Sequence, residues 1–224
     1  MNIVFEENER EVIFRVKDFE PKYEPVLKMC YYEKDGDSYI KKYSDQINNI
    51  KIIQENFKKH AEVMFNQVGY FEEIPWEKAL LAFSERMNKY HIDWWLTGSC
   101  AACIRGIPLK PHDVDIMVDS KDVVKLNHLF TNWMIEPFID TGGWVTKDFG
   151  VLFKYARIDI ASDPSPSLDQ PEPVDCGPYA KDHLETVQFK GYQIKVPPLQ
   201  LLINANKRRN RLDRVKLLGS YLNK

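Results

Sequence analysis

The segment Asp113-Val114-Asp115-Ile116-Met117-Val118 restricts the fold more than any other stretch of the chain. Residues two apart on a strand point to the same side. Asp113 and Asp115 therefore project together, while Val114, Ile116 and Val118 face the opposite side and a core. Two adjacent carboxylates repel and raise each other's pKa unless a cation sits between them. Oxygen donors at this spacing suit Mg²⁺, which keeps waters and often shares phosphate oxygens with protein carboxylates. The alternative is a solvated acid pair at a strand end.

The flanking residues favour the metal. Upstream, a short strand from Trp94 to Leu96 runs into Gly98-Ser99, and Ser99 to Arg105 is compatible with a short helix. Gly98 lets a ligand approach the backbone, Ser99 offers a hydroxyl, and a new helix offers free N–H groups. Together they suit an anion such as a triphosphate, although Gly-Ser is also an ordinary turn and cap. A loop with Lys110 and His112 follows. Downstream, Ala156, Ile158 and Ile160 alternate with Tyr155, Arg157 and Asp159, which puts Asp159 on the polar face of a strand. If that strand lies beside Val114 to Val118, three carboxylates converge, as a two-metal site requires. Asp163 competes for the third position, but it opens a proline-rich loop.

A hydrophobic strand, Gly-Ser, a short helix, Gly106, a basic loop, Asp-x-Asp and a later strand carboxylate together resemble the DNA polymerase beta-like nucleotidyltransferases. The small antibiotic-modifying members, of the lincosamide and aminoglycoside 2''-type, are the most similar. The resemblance spans about Pro75 to Ala161, with a weaker echo in Leu199 to Leu218. It implies an α+β fold, with a small mixed sheet flanked by helices carrying the carboxylates. It also implies attack by an acceptor hydroxyl on the α-phosphate of a nucleoside triphosphate such as ATP, with loss of pyrophosphate. By position, Gly98, Ser99 and Lys110 would hold phosphates. Asp113 and Asp115 would ligate Mg²⁺. Asp159 would ligate a second Mg²⁺ or act as general base.

The C-terminal stretch carries Lys207, Arg208, Arg209, Arg211 and Arg214. In relatives, a helix of similar look gives a basic residue to the nucleotide, so Lys207 and Arg211 are nucleotide-binding candidates that would stabilise the leaving group. A solvated helix face and a nucleic-acid contact are the other readings. The acceptor expected is a small hydroxylated molecule. A toxin-like action on RNA or protein, or a nucleotide-binding module without catalysis, are the rivals.

The rest of the chain divides into an accessory unit over residues 1–72, a core over 73–165, and a linker, hairpin and basic helices over 166–224. The first unit has no counterpart in the small enzymes. Val12–Val16 and Val26–Tyr43 read as strands, with a hairpin turn at Asp35-Gly36-Asp37. Ile47, Ile50, Ile53, Phe57, Ala61 and Met64 predict a helix. This unit is either a solvated accessory or a device for substrate recognition or oligomerisation. A second helix is expected from Trp76 to Tyr90, opened by Pro75. A third should start at Ser120 as N-cap and reach Phe130. Strands fill 133–161, with turns at Thr141-Gly142-Gly143 and near Gly150. Residues 162–178 hold five prolines and read as a loop, and a hairpin around Gly191 precedes one or two final helices.

With a net charge of -2, no global basic field draws the chain to nucleic acid or membrane. No apolar run approaches the ~20 residues of a membrane span, so a cytoplasmic protein with reduced thiols is expected. Cys100 and Cys103 form a CxxC, which suits either a zinc or redox site or two small residues on the buried face of a short helix.

Overall fold

The computed structural model describes residues 1–143 and 145–222. Its architecture is α+β, with helices packed on two antiparallel-rich sheets.

The N-terminal sheet contains β1 (Asn2–Glu7) and β2 (Glu11–Lys17). After α1 (Glu24–Met29) it adds β3 (Glu33–Asp35) and β4 (Ser38–Ser44), in the order β1-β2-β4-β3. The strict alternation of β2 buries Val12, Phe14 and Val16 and leaves Arg15 to pair with Glu6 on β1. On that buried face lies α2 (Ile50–Val68). Phe57 is fully buried there, its ring 5.2 Å from Phe14. Burying one such side chain contributes about 2–3 kcal/mol.

The second sheet follows α3 (Trp76–Lys89). It comprises β5 (Trp94–Thr97), β6 (Val114–Val118), β7 (Met134–Asp140), β8 (Asp148–Lys154) and β9 (Ala156–Ser162). Its strand order is β5-β6-β9-β8-β7. Only the β6–β9 pair is parallel, so the sheet is mixed. A short α4 (Gly98–Cys103) leaves the end of β5, and α5 (Val123–Leu129) connects β6 to β7. The chain ends in α6 (Pro178–Asp182), the hairpin β10 (Glu185–Phe189) and β11 (Tyr192–Val196), then α7 (Leu199–Arg208) and α8 (Leu212–Gly219).

One apolar cluster runs through both sheets, joined by α2. A buried polar bridge reinforces the junction. Glu136 on β7 accepts from Lys41 of β4 at 2.5 Å and from the Tyr32 hydroxyl at 3.2 Å. Burial opposes ionisation of Glu136, but Lys41 and Arg157 outweigh it and hold its carboxyl below the usual range.

Three local expectations are corrected and one strand is added. Val26 to Met29 lie in α1 rather than a strand, because Val26 and Leu27 are consecutive buried residues on a helical face. The strand β1 was not anticipated, since its side chains are only half-buried at an outer edge. Gly150 is mid-strand, not in a turn. Its missing Cβ lets the Phe138 ring lie on the backbone, where a Cβ would meet ring carbons at 2.8 Å. Ser120 opens a 3₁₀ turn ahead of α5 and caps nothing with its side chain. Its N–H instead donates to Asp163 Oδ1 at 3.0 Å. Among the described residues, no helix is long and apolar enough to cross a membrane.

Candidate active site

The strand β6 places Asp115 on its open face, and Asp113 stands just ahead of it. In the parallel ladder, Asp115 pairs in register with Asp159 of β9. One oxygen from each of Asp113, Asp115 and Asp159 lies within 4.8 Å of the others. Three hard oxygen donors at that spacing fit a divalent cation such as Mg²⁺.

The electrostatics agree with that fit. Burial and the charges of Asp113, Asp159 and Asp175 push the Asp115 carboxyl well above its ordinary range. Asp113 is also raised, by burial. Asp159 is pushed up to about 6 by burial; Arg157 pulls it down and Asp113 raises it. Arg157 is buried and grips Asp159 with a fork, Nε to Oδ1 at 2.6 Å and Nη2 to Oδ2 at 3.1 Å. That fixes the carboxylate plane while leaving lone pairs on both oxygens.

Gly98 has φ +62, and a Cβ there would overlap the Asp115 carboxylate. The glycine is thus required twice, by its left-handed backbone and by close approach. Its N–H donates to Asp175 Oδ2 at 3.0 Å, and the Thr97 hydroxyl donates to the Asp175 carbonyl at 3.0 Å. Ser99 Oγ accepts from Arg214 Nη1 at 3.0 Å.

These groups line one cavity of about 640 Å³, within the range of small-molecule sites. Gly98, Ser99, Asp113, Asp115, Asp159 and Arg211 share its wall. Lys110 and Lys207 do not: both are exposed and off the wall. On α7 the cavity face carries Leu202, Ala205, Asn206 and Arg208 and continues to Arg209, a spacing of three, four, six and seven. Lys207 lies about 100° around the helix from Asn206. In the basic loop, Leu109 and His112 turn inward. The Lys110 backbone is held from outside, its carbonyl accepting from the Tyr70 hydroxyl at 2.7 Å. Asp163 sits at Ser120, outside the trio.

Several wall residues had no assignable signal in the sequence. Asp175 and Cys176 come from the proline-rich loop, and Met29 and Tyr31 from the N-terminal unit. Arg157 shares the polar face of Asp159 but reads as any strand arginine. The C-terminal cations divide by role. Arg208 donates to the carbonyls of Gln170 and Glu172 at 2.7 Å each and so ties down the loop. Burial and the like charges of Arg209 and Arg214 depress Arg211, an arrangement that an anion would relieve. The cysteines are all free thiols. Cys100 Sγ donates to the Asp113 carbonyl at 3.2 Å and Cys103 Sγ to the Leu109 carbonyl at 3.3 Å, bracing the loop ahead of Asp113.

Among the solved structures similar to this chain, three at low identity illustrate the likeness. A proposed nucleotidyltransferase from Thermotoga maritima, TM1012, is 21% identical and has a TM-score of 0.48, covering 65% of this chain and 91% of its own. ANT(2'')-Ia in complex with adenylyl-2''-tobramycin is 10% identical, with a TM-score of 0.46 over 65% and 89%. The lincosamide antibiotic adenylyltransferase LnuA, lincomycin-bound, is 14% identical, with a TM-score of 0.45 over 64% and 96%. No curated protein matches the chain. The family model for aminoglycoside-2''-adenylyltransferase matches residues 79–149, a span that holds Gly98, Ser99, Asp113 and Asp115 and stops short of Asp159. Over that segment the chain is similar to the aminoglycoside-2''-adenylyltransferases, which bears out the resemblance to the nucleotidyltransferases read from its sequence.

Proposed function

We propose that the protein is a metal-dependent nucleotidyltransferase that moves a nucleoside monophosphate from a triphosphate such as ATP to a hydroxyl of a small molecule. The observation that carries this is the convergence of Asp113, Asp115 and Asp159 beside a glycine-serine turn and an arginine cluster in one cavity.

Asp113, Asp115 and Asp159 would hold one or two Mg²⁺ ions. Bound there, Mg²⁺ would neutralise phosphate charge and acidify the attacking hydroxyl. Arg211, Arg209 and Arg214 line the same cavity and suit the triphosphate tail, with Arg214 also orienting the Ser99 hydroxyl. In the reaction, the acceptor oxygen bonds to the α-phosphorus. The bond from that phosphorus to the α,β-bridging oxygen breaks, and pyrophosphate leaves toward the arginines. Asp159 takes the hydroxyl proton. With a cation bound at the cluster, Asp159 would stand as the anion that accepts this proton. Arg157 keeps its oxygens aimed.

Incubation with mixed triphosphates, Mg²⁺ and hydroxylated small molecules should release pyrophosphate and add one nucleotide mass to an acceptor. Asp115→Asn should abolish both signals. Absence of Mg²⁺-dependent pyrophosphate release with every triphosphate would overturn the proposal.

A further inference from the structure

We infer that the N-terminal unit supplies the acceptor subsite, with Met29 and Tyr31 as the wall that receives an uncharged or weakly charged hydroxylated ring compound. The inference rests on the nucleotidyl-transfer function proposed above and narrows its acceptor.

Met29 and Tyr31 share the cavity with the carboxylates, although they lie far from them in sequence. They remain 50% and 55% exposed while lining the cavity, so each offers apolar surface to a ligand there. Their place in the sheet is informative. Gly98 and Ser99 follow β5, Asp115 is on β6, and Asp159 is on β9. Phe149 lies one strand further, on β8, and its ring is 6.4 Å from that of Tyr31. Tyr31 and Ser99 therefore flank the carboxylate trio on opposite sides. Displacement at phosphorus needs the attacking and leaving oxygens in line. With pyrophosphate leaving toward Ser99 and Arg214, the acceptor arrives from the Asp159 and Tyr31 side.

The wall is held rigidly. Tyr31 has φ +62, a conformation costly for a bulky residue unless the surroundings impose it. Its N–H donates to the Lys28 carbonyl at 3.0 Å. The preceding Cys30 carbonyl accepts from Lys41 Nζ at 2.9 Å, and Lys41 is itself paired with buried Glu136. The same bridge that joins the two sheets thus fixes the turn that presents Tyr31.

Charge selects the class of acceptor. Among the described residues lining the cavity, the acids are Asp113, Asp115, Asp159 and Asp175. Three form the metal-type centre, and Asp175 accepts from the Gly98 N–H. None remains on the Tyr31 side to pair with the ammonium groups of a polycation. A tyrosine ring and a thioether instead suit the C–H face of a sugar or an aromatic ring.

Two binding measurements separate this inference from the function beneath it. Calorimetry with ATP and Mg²⁺ reports the nucleotide site. Ligand-observed NMR with 4-nitrophenyl β-glucoside and lincomycin, against tobramycin as polycation, reports the acceptor site. Wild type should bind ATP and at least one of the first two probes more tightly than tobramycin. Tyr31→Ala and Met29→Ala should each weaken that probe, by about tenfold for Tyr31→Ala, and leave ATP affinity alone. Tyr31→Phe should retain the probe. Preference for tobramycin, binding of neither ring probe, or wild-type probe affinity in both alanine variants would overturn the subsite while leaving nucleotidyl transfer standing. Failure of the wild type to bind ATP or any other nucleoside triphosphate with Mg²⁺ would overturn the transfer function itself, whatever the ring probes do.

Discussion

Asp115 and Asp159 are direct partners across the parallel β6–β9 ladder, so their carboxylates emerge side by side from neighbouring strands. With Asp113 they form a cluster whose mutual repulsion Arg157 offsets only in part, leaving the rest to protons or a metal cation. Asp115→Asn removes the charge at the centre of that cluster while keeping its shape. Transfer should fall by at least ~10²-fold. The metal-free protein at neutral pH should melt no lower than wild type, since burial and the neighbouring carboxylates disfavour the lost group as an anion. Pyrophosphate release and a thermal melt check both halves, and wild-type turnover would remove Asp115 from the reaction.

The same cluster sets a pH dependence of stability. Asp159 has its pKa raised from 3.8 to about 6, and Asp113 and Asp115 are also raised. The folded state then binds protons more tightly than the unfolded chain. The stability these groups contribute is complete below the unfolded carboxyl pKa of about 4 and is lost as pH rises through the folded values. Metal-free protein should therefore lose stability on going from about pH 4.5 to pH 7.5, at this site, and added Mg²⁺ should raise the Tm more at the higher pH. Melts with Asp113→Asn as control isolate the cluster. A Mg²⁺ effect that is equal at both pH values, or that survives in the control, would argue for binding elsewhere.

Gly98 links backbone geometry to the same carboxylate. Its φ of +62 and the overlap of any Cβ with Asp115 make Gly98→Ala a change in both strain and charge placement. We expect a cost of about 1–3 kcal/mol in stability. Displacement of Asp115 should also weaken Mg²⁺ binding. A variant with wild-type stability and Mg²⁺ affinity would mean that the turn can re-form around the methyl group.

The legible and illegible parts of this site differ in physical kind. Asp113, Asp115 and Asp159 could be read from strand parity, because alternation fixes which way a side chain points. The adjacency of β6 and β9 was conditional in the sequence, and the ladder register supplies it. Asp175 was not legible, since its loop has no periodicity and reaches Gly98 through tertiary contact alone. Tyr31 was hidden for a related reason: α1 interrupts a stretch rich in strand-forming residues, and packing against α2 overrides that local preference. Lys110 and Lys207 show the limit of carrying a cation over by position, because a resemblance does not say which basic side chain turns inward.

That distinction can be tested on the C-terminal arginines. Arg211 and Arg214 line the cavity, and Arg214 donates to Ser99, whereas Lys207 lies exposed and outside. If contact with phosphate matters more than overall charge, Arg211→Ala together with Arg214→Ala should weaken ATP binding by about 10- to 100-fold, the scale of one or two charge-assisted hydrogen bonds. The loss should shrink as salt is raised, because screening already weakens the wild-type interaction. Lys207→Ala removes the same unit charge per residue and should change affinity by less than about twofold. Arg208→Ala should act differently again. It frees the carbonyls of Gln170 and Glu172, so the loop that carries Asp175 should become more open to proteolysis before nucleotide binding changes. Calorimetric titration of the variants at two salt concentrations makes the comparison. Equal losses from Lys207→Ala and the double variant would point to a diffuse field, and no loss from either would leave a solvated helix face.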